Sequence, residues 1–327
     1  MKNYIFRLTA LILALAAAAL MPGCIVINNN GGSDDYEKYE NASKYKTADG
    51  TVTVDGSIKK LFISWVAGSV EFSDSTTGSA ELSETSDAEL TDDTRMHYYF
   101  DGETLFIRYA ASGRFRLDRS GKKLTVKLPA GAHFDEIKIS TVSSNVDAYK
   151  LDAEKFVYKT VSGSLSCPGI TCKIFSANTV SGSLSCGLPD KTDKIDIDSV
   201  SGTVGLTAED ATEIDINTTS GNANVGCANA PEKLEFDSIS ASLKLDLPYD
   251  VGFDARLKTV SGSLSTDFAV KVTDSHYVCG DGALKIEAKT TSGSVNITSA
   301  CKNIRAVISS HTSAVRQSKQ YTATKSG

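Results

Sequence analysis

The sequence predicts an all-β protein: a β-solenoid (parallel β-helix-like) of ~19–20-residue rungs, preceded by an irregular, antiparallel β N-terminal region. Three observations predict it. A Thr-Val-Ser-Gly-type tetrad recurs eight times, from Thr141 to Gly293, and its last residues are spaced 19, 19, 20, 19, 20, 21 and 31 apart. Short segments that alternate apolar and polar residues precede the tetrads, as in Ile137-Lys138-Ile139, Phe156-Val157-Tyr158, Ile195-Asp196-Ile197, Ile214-Asp215-Ile216 and Leu234-Glu235-Phe236; period two with one apolar face marks a half-buried strand. The 327-residue chain is 41% hydrophobic and rich in Ser, Thr, Gly and Val, with one Trp and six Pro, a balance that favours pleated strands and their turns over helices.

Each unit is strand, turn, strand. About twenty residues cannot close a core alone, so each unit must stack on its neighbours. Corresponding residues then repeat at roughly 4.8 Å. Val161, Val180 and Val200 are expected to form an internal aliphatic ladder, with Ser162, Ser181, Ser201 and Ser220 as a second ladder beside the turn. On that assignment Val180→Asp would bury an unpaired charge and abolish cooperative unfolding. The fourth-position glycines are expected to turn the corner at positive φ, where Ser144 and Ala241 break the rule. Leu165, Leu184, Val204, Val225, Leu243, Leu264 and Val295 return the chain to the core.

Five segments follow in chain order. Residues 1–23 form a leader, with Lys2 and Arg7 ahead of an uncharged apolar run from Leu8 to Met21. At about fourteen residues the run is short for a membrane span and fits an export signal. Leu20-Met21-Pro22-Gly23-Cys24 resembles a bacterial lipoprotein box, which implies diacylglycerol on the Cys24 thiol and cleavage before it. Residues 24–46 are hydrated and poor in aliphatic side chains, as a flexible tether is. Residues 47–130 lose the period and form an N-terminal β region continuous with the solenoid; Leu61 to Val70 is a degenerate first copy, and Asp101-Gly102 and Ser120-Gly121 mark hairpins. Residues 131–300 carry the solenoid repeats, and 301–327 are a C-terminal cap or tail. Residues 79–94 hold six acids and no base, whereas 108–127 hold seven bases and one acid, as strands facing each other through opposite charge do.

Lys123 to Pro129 leading into Phe134 to Ser143, the recurring Thr-Val-Ser-Gly-Ser-Leu, and a second Leu247-Pro248 with Phe253-Asp254 and Thr259-Val260-Ser261 resemble the DUF4097-type β-solenoid domains of bacterial envelope proteins designated adhesins. The resemblance covers roughly residues 50–300. It implies the fold, and no catalytic residues to carry over.

The net charge of −6 excludes a basic nucleic-acid-binding domain. Loss of Lys2 and Arg7 makes the mature chain more acidic, so attachment to an anionic membrane falls to the lipid. His97, His133, His276 and His311 lack zinc-pair spacing, and no metal or cofactor is expected. Asp196, Asp198, Asp215 and Asp237 could stack as an acidic stripe that takes calcium through oxygen ligands; solvent-facing strand positions account for them equally. Cys167, Cys172, Cys186, Cys227, Cys279 and Cys301 allow fifteen disulfide pairings, with Cys167 and Cys186 on adjacent rungs.

The expectation is a lipid-anchored, non-catalytic protein of the bacterial cell envelope, extracytoplasmic and at the cell surface. It acts as an adhesin-like binding and display module whose partners are the membrane, through the lipid on Cys24, and a surface glycan or protein ligand. Two alternatives stand beside it: an envelope-stress or signalling accessory that binds a membrane partner, and a glycan-processing enzyme on a β-helix scaffold.

Overall fold

The computed structural model describes residues 38–47, 49–113 and 121–300. The leader, Cys24, most of the tether, the arginine-rich stretch 114–120, Cys301 and the rest of the C-terminal segment lie outside the described residues. Among those described, every extended element is a strand. In chain order they are β1 (Val52–Val54), β2 (Lys60–Ser75), β3 (Ala80–Ser86), β4 (His97–Phe100), β5 (Thr104–Arg108), β6 (Lys122–Pro129), β7 (Phe134–Asp147), β8 (Leu151–Thr160), β9 (Leu165–Cys167), β10 (Ile170–Thr171) and β11 (Ile174–Thr179). Then follow β12 (Leu184–Ser199), β13 (Val204–Thr218), β14 (Ala223–Cys227), β15 (Lys233–Ser238), β16 (Leu243–Pro248), β17 (Phe253–Thr259), β18 (Leu264–Thr266), β19 (Lys271–Thr273), β20 (His276–Cys279), β21 (Leu284–Thr290) and β22 (Val295–Ala300).

The strands stack in parallel and in register, as the repeat requires. Ahead of the corner, Ile137, Phe156, Phe175, Ile195, Ile214 and Leu234 form one inward column, and Ile139, Tyr158, Ala177, Ile197, Ile216 and Phe236 a second. All are essentially inaccessible. Large and small side chains alternate where one layer is crowded: Phe156 stacks on Phe175 at 5.7 Å, and Tyr158 lies over Ala177, which keeps the interior at native packing density. Beyond the corner the column is Leu165, Leu184, Val204, Ala223, Leu243, Val295 and Leu264. Ala223 takes the place expected of Val225, which pairs one step on with Leu206.

The tetrad is built differently from its sequence-based expectation. Its first residue points inward: Thr141, Thr160, Thr179, Ser199, Thr218, Ser238 and Thr290 are all buried. The hydroxyl of this residue ties the corner from inside. Thr160, Thr179, Thr218 and Thr290 Oγ1 accept the N–H of the glycine three residues on, at 2.8–3.2 Å. The second residue points outward, so Val161, Val180 and Val200 form an external column and not an internal one. The third residue is an exposed serine whose Oγ donates to a carbonyl of the preceding layer, as Ser181 does to Val161 and Ser201 to Val180. The fourth comes so close to the preceding layer that a Cβ on Gly182 would lie 1.9 Å from the Gly163 oxygen, and one on Gly202 2.0 Å from the Gly182 oxygen. None of the tetrad glycines from Gly163 to Gly293 has positive φ, whereas Gly68 of the degenerate copy does, so in the repeats the constraint is close approach of backbones and not a left-handed turn.

This register changes what substitutions should do. Val180→Asp places a charge on the outer face and is expected to cost under about 1 kcal/mol with cooperative melting intact. Thr179→Val, nearly isosteric, strips the acceptor from a buried N–H and is expected to cost about 1–3 kcal/mol. Urea titration of the two variants checks both.

At each end the layers do not follow chain order. β2 pairs with β7 on one side and with β5 and β6 on the other, so the first coil in sequence lies beneath the second. The degenerate copy is therefore real: Leu61 pairs with Ile137, Trp65 with Thr141 and Gly68 with Ser144. At the other end β21 and β22 insert between β15/β16 and β17/β18, so the last coil in sequence is second from the end. Antiparallel strands cover the outermost layers: β4 on β5, β3 on β6, β1 on β3, and β20 on β17 with β19 beyond it.

Candidate binding surface

Two outward surfaces run along the stack. The first is the corner ridge, where Val142, Val161, Val180, Val200, Thr219, Ile239, Thr291 and Val260 follow one another beside the serine row. The serine hydrogens are committed to carbonyls of the neighbouring layer, including Ser220 to Val200 and Ser240 to Thr219, so they serve the stack before any ligand. The second is the outer face of the sheet ahead of the corner, which presents Ser176, Asp196, Asp215, Glu235 and Glu287 in one column and Asn178, Asp198, Asn217, Asp237 and Lys289 in the next.

Of the four aspartates, Asp196 stacks on Asp215, while Asp198 and Asp237 stand in the adjacent column with Asn217 between them. Asp215 is the most perturbed: burial, then the carboxylates of Asp196, Glu235, Asp237 and Asp198, push its carboxyl up to about 6. Burial first and Asp196 second also raise Asp198. Lysines neutralise the margins: Lys289 lies 3.3 Å from Asp237, and Lys233 lies 3.1 Å from Glu235 and 3.3 Å from Glu213. Among the described residues no group of three or more His, Cys, Asp or Glu is placed to hold a metal ion.

The raised carboxyl has a consequence for stability. A folded-state pKa of about 6, above the unfolded value, means that the folded chain holds the extra proton between about pH 4 and 6. The group's favourable contribution is complete below about pH 4 and is lost as pH rises through 6. Asp215→Asn keeps the acceptor for the Asn217 amide, 3.2 Å away, and removes the charge. It is expected to stabilise the chain at pH 7 by about 1–2 kcal/mol after solvent screening and to flatten the pH 4–6 slope in denaturant titrations.

Residues with nucleophilic or acid–base character are occupied elsewhere. His133 Nδ1 is 2.7 Å from Asp152 and its Nε2 3.6 Å from Glu154, while His276 Nδ1 is 3.3 Å from Asp254. His97 Nδ1 lies 3.0 Å from the Arg95 carbonyl, and His311 is outside the described residues. Cys167 and Cys186 occupy adjacent layers in register, and Cys167, Cys172, Cys186 and Cys227 are buried free thiols. Burial pushes Cys167, Cys172 and Cys227 up to about 12, and Cys186 well above its ordinary value. Since the thiolate is the reactive form, a maleimide at pH 8 is expected to leave these four unlabelled until the chain unfolds. A Cys24→Ala, Cys279→Ser, Cys301→Ser background isolates them by mass spectrometry, since Cys279 is a partly exposed free thiol.

Two clusters draw their members from elements far apart in the sequence. Lys122, with 3% of its side chain exposed, pairs with Glu84 at 2.8 Å, donates to the Thr94 and Tyr109 carbonyls, and sits 5.0 and 4.3 Å from the ring centres of Trp65 and Tyr109. Burial lowers its pKa and Glu84 opposes the shift. It is the buried end of the facing of acidic and basic strands that composition predicts, with Lys127 and Glu81 at 3.0 Å as a more exposed rung. The second cluster is an aromatic patch of Phe62, Tyr99 and Phe106, on which the incoming segment lays Tyr45.

A parallel stack closed by in-register corner tetrads defines a β-solenoid-like repeat protein. The chain belongs to the Toastrack DUF4097 family, whose model matches residues 58–298. Similar solved structures include a candidate lipid-binding protein from Parabacteroides distasonis, 18% identical over 77% of this chain and 99% of its own, with a TM-score of 0.42. Others are a candidate adhesin from Bacteroides fragilis, 13% identical over 77% of this chain and 98% of its own, TM-score 0.38, and a candidate cell adhesion protein from Clostridium sporogenes, 12% identical over 79% and 100%, TM-score 0.25. No curated protein matches the chain.

Proposed function

We propose that this chain is a lipid-anchored, non-catalytic display module of the bacterial cell envelope that binds a surface glycan or protein ligand. The observation that carries the reading is the commitment of described reactive side chains to the stack: corner hydroxyls to backbone groups, the Cys167, Cys172, Cys186 and Cys227 thiols to the interior, and His133 and His276 to carboxylates. What faces outward is a repeating, ordered surface rather than a set of converging acid, base and nucleophile. The anchor rests on Gly23-Cys24 after an apolar leader, and the polar residues behind Cys24 hold the stack off the bilayer. Metabolic labelling with radioactive palmitate tests the anchor. Label in the membrane fraction that Cys24→Ala abolishes supports it; unlabelled protein refutes it.

A further inference from the structure

We propose that the aromatic strip of Tyr99, Phe106 and Phe62 is a glycan subsite, and that residues 38–47 form a strap that occupies it until a glycan takes its place. The subsite rests on the binding function proposed above and gives it a ligand class. Tyr99 on β4, Phe106 on β5 and Phe62 on β2 are lateral neighbours on one outward face, with ring centres 6.0 and 5.6 Å apart. Beyond Phe62 the same column runs through Lys138, Val157, Ser176 and Asp196 and on into the acidic face. Stacking of the layers therefore does not call for rings at this position. Three adjoining rings on an otherwise polar face make an apolar patch of the kind a folded surface covers or uses. The strap covers it only in part, since all three rings stay half-buried.

The strap marks what the strip accepts. Tyr45 lays its ring 5.6 Å from that of Tyr99 and 6.4 Å from that of Phe106, and its hydroxyl oxygen receives the Arg108 Nε–H at 3.5 Å. The strip thus holds a six-membered ring, and Arg108 holds an oxygen on the rim of that ring. A pyranose has the same form: an apolar C–H face to pack on aromatic rings, whose faces are apolar, and rim hydroxyls that accept hydrogen bonds from a guanidinium. A nucleotide also supplies a ring, but its phosphates meet a chain of net charge −6, which disfavours it.

The strap is lightly held. Lys46 and Tyr98 exchange an isolated pair of backbone bonds at 2.9 and 3.0 Å. The Tyr39 N–H donates to Ser112 Oγ at 3.1 Å and its hydroxyl to the Ala110 carbonyl at 3.2 Å, while Lys44 Nζ and the Arg108 guanidinium lie 5.7 and 5.4 Å from the ring centres of Tyr99 and Tyr39. None of its described residues is buried, and segments with few buried contacts open at free energies far below that of global unfolding. A ligand for the strip competes with this cover, so its apparent Kd is the intrinsic one divided by the open fraction.

The test measures retention of the Cys24→Ala chain on immobilised chitin, β-glucan, mannan, peptidoglycan and matrix proteins, beside variants of the strap and the strip. Tyr39→Ser with Tyr45→Ser loosens the strap and is expected to lower the apparent Kd for one of these glycans about fivefold or more. Phe106→Ser with Arg108→Gln is expected to abolish that retention with or without the strap tyrosines, the circular dichroism being unchanged because both side chains face outward. Tyr99→Ser, on the outermost strand, gives the same reading should that pair fail to fold. Retention that the strip variants leave intact overturns the subsite while the proposed binding function stands. Equal affinity with and without the strap tyrosines, or amide exchange at Lys46 and Tyr98 as slow as at Ile139 in the core, overturns the strap. Retention of the strap-loosened chain on a matrix protein and on no glycan overturns the ligand class. Retention of no variant on any polymer refutes the binding function and the subsite with it.

Discussion

Replacing Gly202 with alanine is expected to destabilise the protein by about 3–5 kcal/mol or to prevent folded protein from accumulating, a large effect for one methyl group. The added Cβ would lie 2.0 Å from the Gly182 carbonyl oxygen, and that oxygen belongs to a corner fixed by ladders on both flanks. Relief would require separating two layers, because their spacing is set by parallel pairing of β11 with β12 ahead of the corner and of β12 with β13 beyond it. Gly226 is the internal control. Its added Cβ would meet nothing within 4 Å, so Gly226→Ala is expected to be neutral or slightly stabilising through the unfolded chain. Thermal melts of the pair separate close approach from any general intolerance of substitution in the repeats. Equal behaviour of the two variants would refute the layer contact.

The second large effect concerns Lys122. Truncation to alanine removes the partner of Glu84, whose side chain is only 6% exposed. Breaking a buried pair from one side typically costs about 3–5 kcal/mol, which for a domain of this size lowers Tm by on the order of 10 °C. Replacing both partners, Lys122→Met with Glu84→Gln, is expected to recover most of the loss. The glutamine Oε1 still accepts the Met96 N–H that Glu84 accepts at 2.6 Å, and methionine fills the space between Trp65 and Tyr109. A double variant as unstable as the single one would mean that the ammonium holds the Thr94 and Tyr109 carbonyls as its main contribution.

Much of this architecture is legible in the sequence, and the failures have physical reasons. The period gives the layers, and the opposite charges of 79–94 and 108–127 give the pairing of β3 with β6, realised in Glu81 opposite Lys127. In the tetrad, residue type and period point opposite ways, and period decides. Alternation carried on from Ile197 puts Ser199 inside and Val200 outside, as observed, although valine is the more apolar of the two. The glycine constraint was ambiguous in principle, since positive φ and close approach both demand a missing Cβ and only coordinates separate them. The exchanged layer order at both ends left no local signal. A spacing of 31 residues before the last tetrad reads as an inserted loop, and nothing in it says that β21 pairs with β15. Lys122 is invisible for a related reason: its partners come from β3, from the turn at Thr94 and from Trp65 on β2, brought together only by the stack.

For function, the visible chemistry divides cleanly. The residues that repeat most strictly, the tetrad hydroxyls and glycines, build the stack. The account therefore turns on binding without turnover. The measurement that tests it most directly is retention of the lipid-free chain, Cys24→Ala, on immobilised glycans, matrix proteins and bacterial wall polymers, with the eluate assayed for cleavage products. Saturable retention on one polymer, with the polymer recovered intact, is the predicted result. Absence of retention on every polymer, or release of shortened polymer, would contradict it.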